Sequence, residues 1–325
     1  MKHVWLVFFV KFVMLLNFPL TAQQNKLVFT PHWLPQAQFA GFYVALEKGY
    51  YADAGLDVEI IHPLVTENAI ESLINGQADL ISLFLVTALR ARSEGVDLVN
   101  IAQLSQHSAI MMVSKKTSGI ETIHDFQGKK IGIWMSGFEE VPKALMNEYN
   151  LDVTWVPILS TVNLFLAGGI DIMTVMWYNE YHTIYLSGID HDELTTFFLS
   201  DYGYDIPEDG LYALSSTMTE RREDLKRFTD ATMKGWEYTA ANREEVIRLV
   251  VDIMRKAHIP SNKAHQRWML TKVLEMYAYE DKSVQSTELC LQDFNKAVSL
   301  LKKQHIIKTG CDYNVFFQPV MPGIR

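Results

Sequence analysis

Hydrophobic residues recur along the chain in short runs whose spacing alternates between that of strands and that of helices. The apolar runs predict strands over 27–29, 56–61, 78–81, 130–134, 153–157 and 170–176, and intervening helices over 39–48, 66–75, 86–94, 140–150 and 162–167. Gly49, Gly76 and Gly95 follow predicted helix ends, where a left-handed residue is favoured. This alternation predicts an α/β fold with mostly parallel sheets and right-handed crossovers.

The pattern occurs twice. Residues 75–81 read Asn-Gly-Gln-Ala-Asp-Leu-Ile and residues 167–173 read Ala-Gly-Gly-Ile-Asp-Ile-Met, so each segment has a helix end, a glycine and an aspartate within an apolar strand. Two lobes built on one plan would present their strand ends to each other across a cleft. Because ligands of open α/β sheets bind beyond the carboxyl ends of the strands, we expect the binding site there.

After residue 219 the pattern is that of amphipathic helices, predicted at 220–241, 244–257, 263–277 and 289–304. We expect these helices to pack back on the first lobe. The expected division is a leader at 1–22, a first lobe at 23–112 and 218–325, and a second lobe at 113–217. The chain would cross between lobes near 109–115 and again near 211–217.

Composition narrows the class of protein. A chain of 325 residues that is 49% hydrophobic can fill two modest cores. Its net charge of −9, with scattered lysines and arginines, argues against nucleic acid as a partner. Cys290 and Cys311 are too few for a disulfide framework, and either pairing or free thiols fit the sequence.

The first 22 residues resemble an export signal. Lys2 precedes an apolar run over 4–20, and Ala22 ends the segment with a small residue, so we expect cleavage near Ala22 and an exported, periplasmic protein. Lys11 and Asn17 interrupt the run, which weakens the alternative of a retained membrane anchor.

The loop after the first strand offers Trp33, Gln36 and Gln38 as ligand contacts. A tryptophan can stack on a planar ring, and a glutamine amide both donates and accepts hydrogen bonds. The alternative is that Trp33 only covers the lobe surface and that both glutamines are solvated.

Three further candidates follow other predicted strands. Ser82 could contact the ligand or cap a helix. Gly137 could expose a backbone amide to the ligand. Glu139 could accept a hydrogen bond from a ligand amino group or only complement the helix dipole.

The segment Trp177-Tyr178-Asn179-Glu180-Tyr181 has the highest density of candidates. It places Trp177, Asn179 and Glu180 after a buried strand at the cleft of the second lobe. Aromatic, amide and carboxyl groups together suit an aminopyrimidine, although aromatic residues also fill half-buried surfaces. Tyr202 is a candidate for the rim of the cleft.

Catalytic signatures are missing from the sequence. It contains no G-x-S-x-G, H-E-x-x-H or paired C-x-x-C motif and no glycine-rich phosphate loop. His182 and His191 lie near acidic residues, but their spacing matches no common metal motif. We therefore expect no catalytic residue, metal or cofactor, and a protein that is not an enzyme.

Several motifs carry a family resemblance over roughly residues 26–240. They are the run 27–58, Asn-Gly-Gln-Ala-Asp-Leu at 75–80, Gly-Lys-Lys-Ile-Gly at 128–132, Gly-Ile-Asp at 169–171, Asp-Tyr-Gly at 201–203 and Pro-Glu-Asp-Gly at 207–210. In these motifs the chain resembles the solute-binding proteins of thiamine-precursor ABC importers, a superfamily that includes the fungal thiamine-pyrimidine synthase and the alkanesulfonate-binding proteins. The resemblance implies a type II periplasmic-binding-protein fold, a heterocyclic ligand, a permease and ATPase as partners, and a monomer.

The synthase in that superfamily is the enzymatic alternative. The resemblance aligns its cofactor-binding lysine with Leu83 and its sacrificed histidine with Thr87, and its cysteine run is missing here. Synthase activity is therefore disfavoured. A module that reports a ligand to a separate membrane kinase is a third possibility.

Overall fold

The computed structural model describes residues 25–64, 67–134, 139–159, 161–277 and 286–321. Within these ranges ten strands form two five-stranded sheets. The strands are β1 (Asn25–Thr30), β2 (Leu56–Ile60), β3 (Leu80–Phe84), β4 (Leu98–Gln103), β5 (Ile110–Lys115), β6 (Lys130–Ile133), β7 (Thr154–Pro157), β8 (Ile172–Met176), β9 (Leu194–Phe198) and β10 (Asp209–Leu214). The helices are α1 (Ala40–Glu47), α2 (Tyr50–Asp53), α3 (Ala69–Ile74), α4 (Leu85–Ser93), α5 (Glu140–Glu148), α6 (Asn163–Leu166), α7 (Glu180–Leu186), α8 (Ser215–Glu220), α9 (Arg222–Ala241), α10 (Arg243–Lys256), α11 (Lys263–Tyr277), α12 (Leu291–Lys303) and α13 (Tyr313–Phe316).

The two sheets share one topology. The first has the order β2-β1-β3-β10-β4 and the second β7-β6-β8-β5-β9. In each, four strands run in one direction, while β10 in the first sheet and β5 in the second are antiparallel to both of their neighbours. The predicted two-lobed α/β architecture is confirmed, with sheets that are mixed. We call the first sheet and its helices the first lobe, and the second sheet and its helices the second lobe.

The chain changes sheets between β4 and β5, over residues 104–109, and between β9 and β10, over residues 199–208. Both passages begin several residues before the expected crossings at 109–115 and 211–217, because those segments contain β5 and β10 themselves. We therefore propose lobe boundaries at these two passages in place of 112 and 217.

The sequence repeat has a structural cause in the third strand of each sheet. The Asp79 carboxylate accepts a hydrogen bond from the backbone N–H of Val28 at 2.8 Å, and Asp171 accepts one from Lys130 at 2.8 Å. Each aspartate thereby ties the start of its sheet's third strand, β3 or β8, to the adjacent strand, β1 or β6. The side chain supplies an acceptor where the ladder of backbone bonds is incomplete.

The C-terminal helices pack on the first lobe, as predicted. Helix α9 crosses α1 so closely that a Cβ added at Gly235 would lie 2.1 Å from the carbonyl oxygen of Gly41. Trp236 is fully buried there, and its ring lies edge-on to Phe42. Two later helices also reach the second lobe, since α11 contacts α7 and α12 contacts α5.

Cys290 and Cys311 are half-buried free thiols. In the part of the chain that the structure covers, no helix combines the length and hydrophobicity needed to cross a bilayer. The predicted export signal at 1–22 lies outside the described residues.

Candidate functional site

A small enclosed cavity lies where the ends of β1 and β8 face each other between the lobes. Its volume is about 20 Å³, and it is lined by His32, Trp33, Gln36, Gln38, Phe84, Trp134, Met176, Tyr178, Asn179 and Glu180. Trp33 of the first lobe meets Trp134 of the second edge to face, with ring centroids 5.5 Å apart. The space holds little more than a water molecule, whereas a benzene-sized ring needs roughly 150 Å³. The two lobes are therefore closed on each other.

The first-lobe wall is the loop between β1 and a short 3-10 turn over Ala37–Phe39. Within it, the Gln36 side-chain amide donates to Gln38 Oε1 at 2.7 Å. Gln38 Nε2 donates in turn to Asp209 Oδ2 at 2.9 Å. Because Asp209 begins β10, next to the chain passage at 199–208, these contacts tie the loop to the connection between the lobes.

The second-lobe wall is the segment that leads from β8 into α7. Glu180 Oε2 accepts a hydrogen bond from the Met176 backbone N–H at 2.9 Å, and its Oε1 accepts one from Asn179 Nδ2 at 2.8 Å. Burial raises the pKa of Glu180 to about 7, because the charged form loses hydration that these two bonds only partly replace. The cavity thus contains a carboxyl group that changes protonation state near neutral pH.

Glu208 occupies the chain passage beside the cavity. Its Oε1 accepts hydrogen bonds from Ser108 Oγ at 2.8 Å and from the Ala109 N–H at 2.7 Å, which belong to the other passage. Its Oε2 is buried without a hydrogen-bond partner among the described residues. Burial, followed by the neighbouring charge of Asp209, raises the pKa of Glu208 to about 8. Glu208 therefore joins the two connections on which the lobes would pivot.

An ion-pair cluster spans the lobes away from the cavity. Arg90 on α4 of the first lobe places Nη1 2.7 Å from Glu140 Oε1 and 3.2 Å from Glu139 Oε1, both at the start of α5. The Glu140 side chain is only 1% exposed. Burial raises its pKa, and the charge of Arg90 opposes that rise.

The structure brings five of the ten predicted site residues to the cavity wall: Trp33, Gln36, Gln38, Asn179 and Glu180. Ser82 does not line the cavity but contacts the lining residue His32, with its Oγ 2.8 Å from His32 Nδ1. Gly137 falls outside the described residues.

Three predicted residues are not among those that line the cavity. The Glu139 carboxylate pairs with Arg90. The Trp177 ring lies edge-on to Phe198 and beneath Lys272, whose Nζ is 4.0 Å from the ring centroid. The Tyr202 ring packs against Tyr149, with centroids 6.0 Å apart.

The prediction missed other lining residues, among them His32, Trp134 and Tyr178. His32 and Tyr178 lie next to residues that were predicted to contact the ligand. Their position in those segments could therefore have identified them as candidates. Asp209 carried a weaker signal, a charged residue at the start of an apolar run. Its partners come from distant parts of the chain, which the sequence pattern does not reveal.

Metal-binding groups are not clustered in the part of the chain that the structure covers, where no three histidine, cysteine or acidic side chains converge on one point. Leu83 on β3 and Thr87 on α4 are both buried. Neither side chain offers an amine for an imine or an imidazole for oxidation.

Comparison with known proteins agrees with this architecture. The formylaminopyrimidine-binding protein of Halalkalibacterium halodurans is 24% identical over 251 residues, which span 75% of each chain. A 4-amino-5-hydroxymethyl-2-methylpyrimidine phosphate synthase of Saccharomyces cerevisiae is 28% identical over 109 residues, 33% of this chain and 32% of the synthase. The crystal structure of the periplasmic aliphatic sulphonate binding protein SsuA from Escherichia coli superposes with a TM-score of 0.67 at 15% identity, covering 91% of this chain and 92% of SsuA.

The superposition confirms the predicted type II periplasmic-binding-protein fold. The family model described as NMT1/THI5 like matches residues 36–246, more than half of the chain. The resemblance found in the sequence motifs is therefore confirmed, and the chain belongs to the NMT1/THI5-like family.

Proposed function

We propose that this chain is the exported solute-binding subunit of an ABC importer, and that it binds a small planar heterocycle, a thiamine-pyrimidine precursor, between its lobes. In this role it acts as a monomer in the periplasm and passes the intact ligand to a membrane permease driven by an ATPase. Family membership and the formylaminopyrimidine-binding relative support the proposal.

One observation carries the choice of ligand: the cavity combines aromatic rings with hydrogen-bond acceptors from both lobes. Trp33 and Trp134 offer faces and edges to a planar ring. Gln36 and Glu180 offer oxygens to an amino group from opposite sides. An aminopyrimidine has both features, a flat ring and an exocyclic donor.

The synthase relatives favour a second candidate, an enzyme that makes the pyrimidine. The residues here argue against it, since Leu83 and Thr87 stand where the resemblance places the lysine and the histidine. A ligand sensor would use the same closing fold. The two roles are distinguished by the partner that copurifies with the protein, a permease for transport or a kinase for sensing.

The proposal is tested by binding and by recovery of the ligand. We expect 4-amino-5-hydroxymethyl-2-methylpyrimidine or its formylamino relative to bind at micromolar concentration or below, which corresponds to about 8 kcal/mol or more. Calorimetry measures the affinity, and mass spectrometry of the incubated mixture checks that the ligand is unchanged. An aliphatic sulfonate is the control ligand. Absence of pyrimidine binding, or conversion of the pyrimidine, would contradict the proposal.

A further inference from the structure

Asp209 anchors a set of hydrogen bonds that ends at the cavity. The residue is 3% exposed, and its Oδ2 accepts hydrogen bonds from Gln38 Nε2 at 2.9 Å and from the Tyr277 hydroxyl at 3.0 Å. A carboxylate oxygen only accepts hydrogen bonds. The Gln38 amide must therefore turn its NH₂ end toward Asp209, and its oxygen points the other way.

His32 holds the same orientation from another side. Its Nδ1 lies 2.8 Å from Ser82 Oγ, and its Nε2 lies 3.4 Å from Gln38 Nε2 and 3.6 Å from Asp209 Oδ1. These contacts are satisfied when Nδ1 carries the ring proton, because Nε2 is then free to accept the second N–H of Gln38. Burial lowers the pKa of His32, which favours this neutral ring.

The orientation passes from Gln38 to Gln36. Gln38 Oε1 accepts a hydrogen bond from Gln36 Nε2 at 2.7 Å. The Gln36 amide is thus held by its nitrogen, and no hydrogen bond to its Oε1 occurs among the described residues. Gln36 is 7% exposed and lines the cavity, so a hydrogen-bond acceptor is held there on the first-lobe side.

The second lobe offers acceptors as well. In its ionised form, Glu180 keeps lone pairs free on both oxygens after accepting from Asn179 and Met176. A ring with an amino group satisfies the Gln36 oxygen, whereas a ring with a carbonyl oxygen in that place meets another oxygen. An unpaired buried acceptor costs on the order of tenfold or more in affinity.

We propose that Asp209 is a positioning residue that, through Gln38, holds the Gln36 carbonyl oxygen toward the cavity and so makes the site select amino-substituted rings over their keto counterparts. The choice of a pyrimidine as the ring rests on the proposed function. The orientation of the two amides does not depend on it.

The variant Asp209→Asn tests the proposal, because asparagine keeps the shape but adds a donor that allows Gln38, and with it Gln36, to turn around. The probes are 4-amino-5-hydroxymethyl-2-methylpyrimidine and its 4-oxo counterpart. In calorimetry we expect the native protein to prefer the amino probe at least tenfold, and Asp209→Asn to reduce that preference below threefold or reverse it. Gln38→Met, which removes the amide, should also lose the preference.

Tyr277→Phe is the matched control, since it removes the other hydrogen bond to the same carboxylate and leaves Gln38 in place. Its preference for the amino probe should match that of the native protein. A purely structural Asp209 would weaken both probes equally and leave their ratio unchanged, and that result would overturn the proposal.

A measurement without ligand separates this inference from the proposed function. The side-chain amide resonances of Gln36 and Gln38, assigned with Gln→Glu variants, report the hydrogen bonds of each NH₂ group in ¹⁵N spectra. Asp209→Asn should shift the Gln36 resonance although no hydrogen bond joins Gln36 to Asp209 among the described residues, and Tyr277→Phe should not. An unmoved Gln36 resonance refutes the positioning role, whether or not the native protein binds either probe.

Discussion

Glu180 and Glu208 make the stability of the protein depend on pH. Burial raises the pKa of Glu180 to about 7 and that of Glu208 to about 8. An unfolded glutamate releases its proton near pH 4.5, so between that pH and the raised pKa the folded state binds more protons than the unfolded state. These two groups therefore lower the free energy of unfolding as pH rises from about 5 to 8.

Glu208→Gln should remove the part of this pH-dependent decrease in unfolding free energy that is due to Glu208, because glutamine resembles the protonated acid. We expect the variant to be more stable than the native protein at pH 8 by about 4 kcal/mol and nearly equal at pH 5. Urea unfolding at the two pH values measures the difference. Glu47→Gln, at an exposed position, is the control and should show no such pH dependence. Equal differences at pH 5 and pH 8 would contradict the assignment.

Trp33 and Trp177 were both predicted to contact the ligand, but in the structure only Trp33 lines the cavity. The Trp33 ring lines the cavity, while the Trp177 ring packs between Phe198 and Lys272. We expect Trp33→Ala to weaken pyrimidine binding by tenfold or more and Trp177→Ala to weaken it less. Calorimetry of both variants decides, with Trp155→Ala on β7 as a control. A larger loss at Trp177 would move the site away from the cavity.

Five of the candidate site residues could be placed from local sequence order alone. Trp33, Gln36 and Gln38 follow one strand, and Asn179 and Glu180 follow another, so their place at strand ends followed from the pattern. Asp209 could not be found this way, because its contacts with Gln38 and Tyr277 join positions 171 and 68 residues apart. Such partners are fixed by the topology of the sheet.

At the scale of elements, the helices and the parallel strands were the predictable part. The C-terminal helices were predicted to within a few residues, because each has a polar and an apolar face. Strands β5 and β10 were mistaken for crossings. Each is a short buried run, and a run of that kind does not reveal whether it connects two sheets or pairs within one. Only the antiparallel pairing of β10 with β3 and β4 decides its place.

Helix α11 holds the second lobe through contacts that lie outside the cavity. Trp268 donates a hydrogen bond from Nε1 to the Trp177 carbonyl oxygen at 3.0 Å, and its ring stacks on His182 of α7 with centroids 4.7 Å apart. Lys272, one turn further along, lies over the Trp177 ring. Because α11 packs on the first lobe through α10 and α7 belongs to the second, these contacts favour the closed arrangement.

Trp268→Ala should therefore weaken ligand binding about tenfold although Trp268 does not line the cavity. The expected cause is a shift toward an open form, so small-angle X-ray scattering of the ligand-free variant should give a larger radius of gyration. Trp155→Ala serves again as the control. If affinity falls while the radius of gyration stays unchanged, α11 does not govern closure.

The whole molecule must open for a ring to enter, since the cavity of about 20 Å³ admits only a water-sized guest. The passages at 104–109 and 199–208 are the only described segments that connect the two sheets along the chain. Glu208 links these two passages through Ser108 and Ala109. We therefore expect the lobes to move as bodies about this pair of segments, with ligand shifting an existing equilibrium toward closure.

A variant of Arg90 tests this movement of the lobes, because Arg90 of the first lobe pairs with the buried carboxylate of Glu140 in the second. Without the guanidinium, Glu140 would remain buried beside Glu139 without its ion-pair partner, and loss of one partner of a buried pair costs about 3–5 kcal/mol. Opening hydrates Glu140 and relieves that cost. We expect Arg90→Ala to increase the radius of gyration in small-angle scattering and to weaken ligand binding at least tenfold. Adding Glu140→Gln to the same chain should restore much of the closed form, because the neutral amide tolerates burial better than the carboxylate does. A double variant as open as Arg90→Ala alone would show that the Arg90–Glu140 pair does not hold the lobes together.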